Sequence, residues 1–457
     1  MIDILPDNVL LEIFDFYKED DMFSIRATWI STWMWKTLIQ VCRRWRCVIF
    51  RSPLRLDLRL VCTDTRPTTT SLDIWPPFPI SIDCWDGVNE KTVENVIAAV
   101  KHGNERISHI SFDGFTGSAL KKLVAVMQRP LPALTHFCLK SYDESAPMLP
   151  ETFLGGSAPQ LEMFSLYGIP FSTFPQFIAS STHIRSLSIT SIPYFGYIPP
   201  DAMVACLAAL PNLEFLSIKF RLPLSWLPQI TPPPRTRIVL SALMKLSFCG
   251  FSEYFEDFIA QIDAPFLKEL IVKFFVHGII DIPRLQHFIS RAERLEPFDH
   301  ARVVFNDEKV WISVGFPHRF RLQIRCEWPR WQLSSMVQIF GQQLPLLSHV
   351  ERLEIIRSPY ARMRRDNPDM DSSLWLELFH LFIAVQCLCV SEKLVPPVAA
   401  ALQGLTGERT MEVLPVLRRL FLEGLGTSGP IQEGIRSFVA SRQQSDHPVA
   451  VQSWERQ

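Results

Sequence analysis

The sequence predicts an α/β protein: a small helical unit at the amino terminus, then a solenoid with parallel strands on its concave face and helices outside. Three observations carry this. A six-residue apolar phrase recurs every 23 to 30 residues, helix-period apolar patterns lie between the copies, and 47% of the 457 residues are apolar, enough for one long continuous core.

The first element starts at Leu5-Pro6-Asp7-Asn8, where proline tolerates the first turn and acidic or amide side chains suit the positive dipole end. Val9, Leu10, Ile13, Phe14 and Tyr17 then repeat at three- and four-residue steps, with Asp7, Glu12 and Asp15 off the stripe. After a polar, Trp-bearing stretch over 18–33, a second helix is expected over 35–50. It places Leu38, Val41, Cys42, Trp45, Val48 and Ile49 on one face and Lys36, Arg43, Arg44 and Arg46 on the other, and Ser52-Pro53 ends it. A unit of about fifty residues built this way leaves much of its apolar surface uncovered and calls for a partner.

The Leu-Pro opening, the apolar helix behind it and Val41-Cys42-Arg43-Arg44-Trp45 at this spacing resemble the F-box, specifically the divergent F-box of large fungal (basidiomycete-type) families whose members continue into a repeat domain. The resemblance spans residues 4–52 and runs more loosely through 52–62 and 72–76; the insert between Asp20 and Trp33 is longer than a compact F-box carries. It implies docking onto the Skp-type adaptor of an SCF (Skp–cullin–F-box) ubiquitin ligase and, through it, a cullin. Leu5 and Pro6 match the opening loop, Leu10, Ile13 and Phe14 the first helix, and Leu38, Val41, Cys42 and Trp45 the last. An apolar centre, an aromatic anchor and a charged rim suit such an interface. The plainer alternative makes Val41 and Trp45 the core of a cap for the repeats. As an import or nucleic-acid patch, Arg43, Arg44 and Arg46 are too few.

The repeats follow. Ile107-Ile110-Phe112, Leu134-Phe137-Leu139, Leu161-Phe164-Leu166, Ile184-Leu187-Ile189, Leu213-Leu216-Ile218, Leu243-Leu246-Phe248 and Leu267-Leu270-Val272 start 27, 27, 23, 29, 30 and 24 residues apart. Val350-Leu353-Ile355, Val385-Leu388-Val390 and Leu417-Leu420-Leu422 repeat the phrase later. The spacing fits the leucine-rich-repeat period and its L-x-x-L-x-L strand. Helical patterns alternate with the strands at Val93-Val96-Ile97-Val100, Leu120-Leu123-Val124-Met127, Met203-Leu207-Leu210, Phe255-Phe258-Ile259-Ile262 and Met336-Val337-Phe340-Leu344. The Asn or Cys expected after the last strand position is missing; Tyr142, Ile169, Arg221 and Phe251 stand there. Over 276–346 strand candidates at 301–305, 310–314 and 319–326 suggest two or three degenerate repeats, and the Pro-rich 231–235 and polar 360–373 stretches suggest inserted loops. The arginines over 362–365 offer an import signal or phospho-acceptor contact as the alternative to a solvated loop. The expected organisation is an adaptor-binding domain over 1–55, a connection over 56–90, a leucine-rich-repeat-like solenoid over 91–440 and a tail over 441–457.

Catalysis is not expected. Gly424-Leu425-Gly426-Thr427-Ser428-Gly429 spells G-x-G-x-x-G after a strand, but too little chain follows to build a dinucleotide sheet. Eleven histidines form no H-E-x-x-H, and Cys387-x-Cys389 reads as two thiols on one strand face rather than a ligand pair. No cofactor or metal is called for. The net charge of −1 offers no uniformly basic surface for nucleic acid. Segment 374–390 reads as a buried helix running into a strand rather than a membrane span. Ten scattered cysteines, no secretory leader and no glycosylation sequon point to the cytoplasm or nucleus.

Period-two alternation turns the residues between the leucines to the concave surface. The expected face for a protein substrate comprises His136, Lys140, Tyr167, Phe215, Lys219, Lys245, Lys273, Arg352, Arg419 and Phe421, interleaved with Cys138, Met163, Ser165, Ser217, Ser247, Cys249, Glu269, Ile271, Glu354 and Glu423. The expectation is a non-catalytic substrate-recognition subunit of an SCF-type ligase; the alternative is a repeat scaffold that delivers no ubiquitin.

Overall fold

The computed structural model describes residues 5–19, 38, 40–52, 58–65, 68–75, 77–85, 88–221, 237–275, 281–295, 298–315, 319–325, 330–341, 347–358, 371–405, 407–424 and 430–455. The insert over 20–33, the Pro-rich 231–235 stretch, residues 360–370 and residues 425–429 of the glycine motif lie outside them. The contacts divide the chain into two compact units, Met1–Ile198 and Pro199–Gln457.

The first unit opens with α1 (Asp7–Glu19) and α2 (Arg43–Phe50), which pack on each other. The single helix expected over 35–50 is interrupted. Leu38, Gln40 and Val41 are helical, but Cys42 turns extended at φ −157° and ψ 170°, and its sulfur accepts the Trp45 N–H at 3.4 Å. The thiol satisfies a backbone donor that a helix start would otherwise leave open, so α2 begins anew.

The chain then alternates β1 (Leu58–Val61), α3 (Thr69–Ile74), β2 (Ile80–Cys84), α4 (Glu90–Gly103), β3 (Ile107–Phe112), α5 (Gly117–Val126), β4 (His136–Lys140), β5 (Met163–Tyr167), α6 (Phe174–Ala179) and β6 (Ser186–Ile192). The six strands lie side by side in chain order, all parallel. Residues 56–90, expected as a connection, therefore supply two sheet strands. Leu58, Leu60, Ile80 and Ile82 are all buried, but β1 and β2 carry only the end of the phrase and do not stand out in the sequence. Between β4 and β6, Phe137, Phe153, Phe164, Phe171, Phe174 and Phe177 pack with ring centroids 5.4 to 6.2 Å apart. These rings fill the space that the short α6 leaves.

The second unit runs α7 (Pro200–Leu207), β7 (Phe215–Phe220), β8 (Ile238–Val239), β9 (Lys245–Gly250), α8 (Ser252–Ile259), β10 (Ile262–Asp263), β11 (Glu269–Phe275), α9 (Pro283–Arg291), β12 (His300–Phe305), β13 (Lys309–Val314), β14 (Phe320–Arg325), α10 (Arg330–Phe340), β15 (Arg352–Arg357), α11 (Ser372–His380), β16 (Cys387–Val390), α12 (Val395–Gln403), β17 (Arg419–Leu422), α13 (Pro430–Gln444) and β18 (Ala450–Ser453). Its ten-strand order is β7-β9-β11-β14-β13-β12-β15-β16-β17-β18, while β8 and β10 form a separate parallel pair. Ile262, expected to extend a helix, starts β10.

Residues 276–346 are not degenerate repeats. From β11 the chain crosses to β12, returns through antiparallel β13, and lays β14 beside β11. Only Asn306 to Glu308 join β12 to β13, with the Asn306 N–H on the Lys309 carbonyl at 2.9 Å. Such a turn permits an antiparallel return and no parallel crossover. Residues 441–457 are not a free tail either. Arg442 is fully buried over the Phe438 ring and donates to the Leu414 and Pro415 carbonyls, and β18 pairs in parallel with β17.

In all ten copies of the phrase every apolar position is at most 4% exposed. These strands are held by the burial of their leucines against neighbouring strands and helices. Among the described residues no helix is long and apolar enough to cross a membrane.

Candidate functional site

Two surfaces emerge, both made of side chains that the local pattern leaves outward. In the helix pair, α1 buries Leu10 and Phe14, and Trp45 of α2 meets Phe14 edge-on at 4.8 Å between centroids. Arg44 pairs with Asp7 at 2.8 Å and donates to the Leu5 carbonyl, tying the opening loop to α2. Ile13 and Val41 stay 40% and 57% exposed. Pro6 is exposed, and Leu5, Leu38, Cys42 and Trp45 are half-buried. The predicted set thus divides. Leu10, Phe14 and Trp45 pack within the unit, Cys42 caps α2, and Ile13, Val41 and Pro6 face solvent.

The strand face is the second surface. The burial pattern of β4 alternates, so Phe137 and Leu139 are buried while His136, Cys138 and Lys140 stay half-exposed. Across the first unit the register aligns Arg59, Ser81, His109, His136 and Met163 in one row and Asp83, Ser111, Cys138 and Ser165 in the next. The rows border a cleft of about 340 Å³. The His109 and His136 rings stack at 4.1 Å, and the Arg59 guanidinium pairs with buried Asp83 and lies 5.0 Å from the Trp85 centroid. Burial lowers the His136 pKa, with Glu162 opposing, and raises that of the Cys138 thiol. Lys140 pairs with Asp113 at 3.1 Å, and Tyr167 packs on Tyr142 at 5.1 Å. Sequence reasoning missed Arg59, Asp83 and His109, although alternation within Leu58-Arg59-Leu60 and Ile107-Ile110-Phe112 marks Arg59 and His109.

In the second unit Phe215, Lys245 and Glu269 share a row, and Lys219, Cys249, Lys273 and Gln323 share another. Lys245 pairs with Glu269 at 2.9 Å and sits 5.8 Å from the Phe215 centroid. Arg352 is exposed and bonds Glu354 at 3.1 Å; Arg419 is exposed and Phe421 half-buried. Glu354, 4% exposed, also receives Arg302 at 2.8 Å and His300 at 3.3 Å. The sulfurs of buried Cys387 and Cys389 lie 3.9 Å apart. The Cys389 thiol lowers the Cys387 pKa, with help from Arg352 and Arg419 and against burial. Among the described residues no three His, Cys, Asp or Glu side chains converge as a metal site.

The predicted face residues are thus outward, but they belong to separate clusters within each unit rather than one uniform stripe. No protein-family model matches the chain, and no curated protein matches it in sequence.

Proposed function

We propose that the protein is a non-catalytic substrate receptor of an SCF-type ubiquitin ligase. The helix pair clips onto the Skp-type adaptor, and the strand faces hold a protein substrate within reach of the ligase-bound ubiquitin donor. Positioning is the whole mechanism, since holding two reactants together raises their effective concentration without chemistry at this chain.

The observation that supports this reading most is the pairing of a filled interior with a bare apolar exterior. Phe14 and Trp45 already pack on each other, yet Ile13 and Val41 remain 40% and 57% exposed. Exposed apolar residues on a rigid helical support suit the centre of an interface, where truncation of a hot spot costs upwards of about 2 kcal/mol. Arg43 and Arg46 supply an exposed charged rim.

The test is capture of purified Skp-type adaptor by the full chain. Ile13→Glu and Val41→Glu should each weaken capture by roughly 30-fold or more with an unchanged melting temperature. Both variants binding like wild type would remove the basis of the receptor reading. Ubiquitination of a captured substrate in a reconstituted ligase then separates a receptor from a scaffold.

A further inference from the structure

The strand face of the second unit carries positive charge that no described residue of the chain answers. Lys219 of β7 and Lys273 of β11 stand in one row with Cys249 of β9 between them. Both lysines are half-buried, and among the described residues neither has an acidic partner, whereas neighbouring Lys245 is matched by Glu269. Burial, then repulsion from Lys273 and Lys245, lowers the Lys219 pKa.

The adjoining row adds donors without acceptors. It runs Ser217, Ser247, Ile271, Arg321 and Ser313 across β7, β9, β11, β14 and β13. Among the described residues, the Ser217 and Ser313 hydroxyls, on residues 1% and 3% exposed, have no hydrogen-bond partner, and neither does the Arg321 Nε. Buried polar groups are normally paired, so their concentration beside two unanswered ammoniums marks a surface built for an acceptor-bearing ligand.

We infer that this face binds an acidic segment of a partner protein, laid across the strands with one carboxylate on Lys219 and a second, three residues along, on Lys273. Neighbouring strands lie about 4.8 Å apart, which separates the two lysine positions by roughly 9.6 Å, and one turn of a polyproline-II segment brings side chains three residues apart onto one side, about 9.3 Å along the chain. Two separate point charges match two separate carboxylates. A single phosphoryl group is better served by the accessible planar fork of an arginine; the Lys219–Lys273 row holds none, and Arg321 of the adjoining row has its Nε buried. The inference deepens the substrate-binding half of the proposed function and rests on that reading.

The experiment uses the full chain and fluorescein-labelled Gly/Ser peptides that carry two glutamates three residues apart, two adjacent glutamates, two glutamines, or one phosphoserine. Fluorescence anisotropy should show binding of the first peptide that weakens with salt and falls about 10-fold or more in Lys219→Glu/Lys273→Glu. A Lys101→Glu/Lys121→Glu control on α4 and α5 should leave it unchanged. Carbodiimide coupling should join the peptide carboxylates to Lys219 and Lys273 in tryptic maps. Equal binding of the glutamine or adjacent-glutamate peptide, binding of the phosphoserine peptide alone, or indifference to Lys219→Glu/Lys273→Glu would each overturn the assignment. Adaptor capture by Lys219→Glu/Lys273→Glu is expected to stay intact. Failure of the peptide arm therefore sinks the acidic-segment inference alone, while failure of adaptor capture by wild type sinks the receptor reading.

Discussion

Glu256 shows how a single side chain is set by its surroundings. On α8, 6% exposed, it accepts the N–H groups of Arg284 at 2.7 Å and Leu285 at 3.0 Å and so caps the start of α9 from a neighbouring helix. Pro283 at the first helical position has no N–H to satisfy. Burial pushes the Glu256 carboxyl up to about 7, against the pull of those two N–H groups and of the Arg284 charge. A folded-state pKa above the ordinary 4.5 means that the native state holds the proton more tightly, so this group favours folding at low pH and loses that contribution as pH climbs from 4.5 through 7. Glu256→Gln keeps an acceptor for the helix start and removes the titration. In urea unfolding, the stability of Glu256→Gln relative to wild type should rise across that window by on the order of 1–3 kcal/mol. A gap that does not change with pH would contradict this account. Lys219 and Lys273 belong to the same scale: the sequence places each on the strand face, and only the register of β7, β9 and β11 sets them in one row.

Among the elements, the inserted β12–β14 meander departs most from simple repetition, and a carboxylate on the next strand holds it. Glu354 of β15 gathers Arg302 and His300 of β12 and Arg352 of its own strand. Burial opposes its ionisation, but His300 and Arg302 more than offset this and hold the carboxyl down at about 2. A depressed folded-state pKa gives stability that is present above about 4.5 and lost as pH falls toward 2. Glu354→Ala would leave the Arg302 and Arg352 guanidiniums and the His300 ring around an empty acceptor. It should cost roughly 3 kcal/mol at neutral pH, measured by urea unfolding, with amide protection lost first in β12 and β15. A cost below about 0.5 kcal/mol would reduce the cluster to a surface ion pair. Both partner strands were legible as strands, since 301–305 is a short apolar, β-branched run and 350–355 carries the Val350-Leu353-Ile355 phrase. Their pairing was not, because Arg302 and Glu354 are 52 residues apart and no local pattern links them.

Each unit stacks strands that bury their leucines only against neighbours, so exposed sheet edges need covers. At the carboxyl end β18 pairs along β17. Removing residues 446–457 would open the β17 edge to other chains. The truncated protein should melt several degrees lower and scatter light in proportion to its concentration, and a soluble truncation with an unchanged melting temperature would show that β18 is dispensable. The same covering need explains why the ends were the least legible parts of the fold. β18 has no fully buried side chain, and β1 and β2 carry only the end of the phrase, so they read as a tail and a connection. The interior copies read correctly because each L-x-x-L-x-L segment states its own inside and outside within six residues. The helix pair was legible in its stripe, yet the division of that stripe into packed Phe14 and Trp45 and bare Ile13 and Val41 depends on how α1 crosses α2.

By itself, then, the sequence determined the strands that carry the repeated phrase, the main helices between them and which side of each such strand is buried, because apolar periodicity is a local property that burial enforces wherever the segment lies. The tertiary structure alone decided strand order across the β12–β14 insertion and the grouping of charges on each face. Those depend on register between residues tens of positions apart, where the energy of one pairing over another is set by contacts that no short stretch of chain contains.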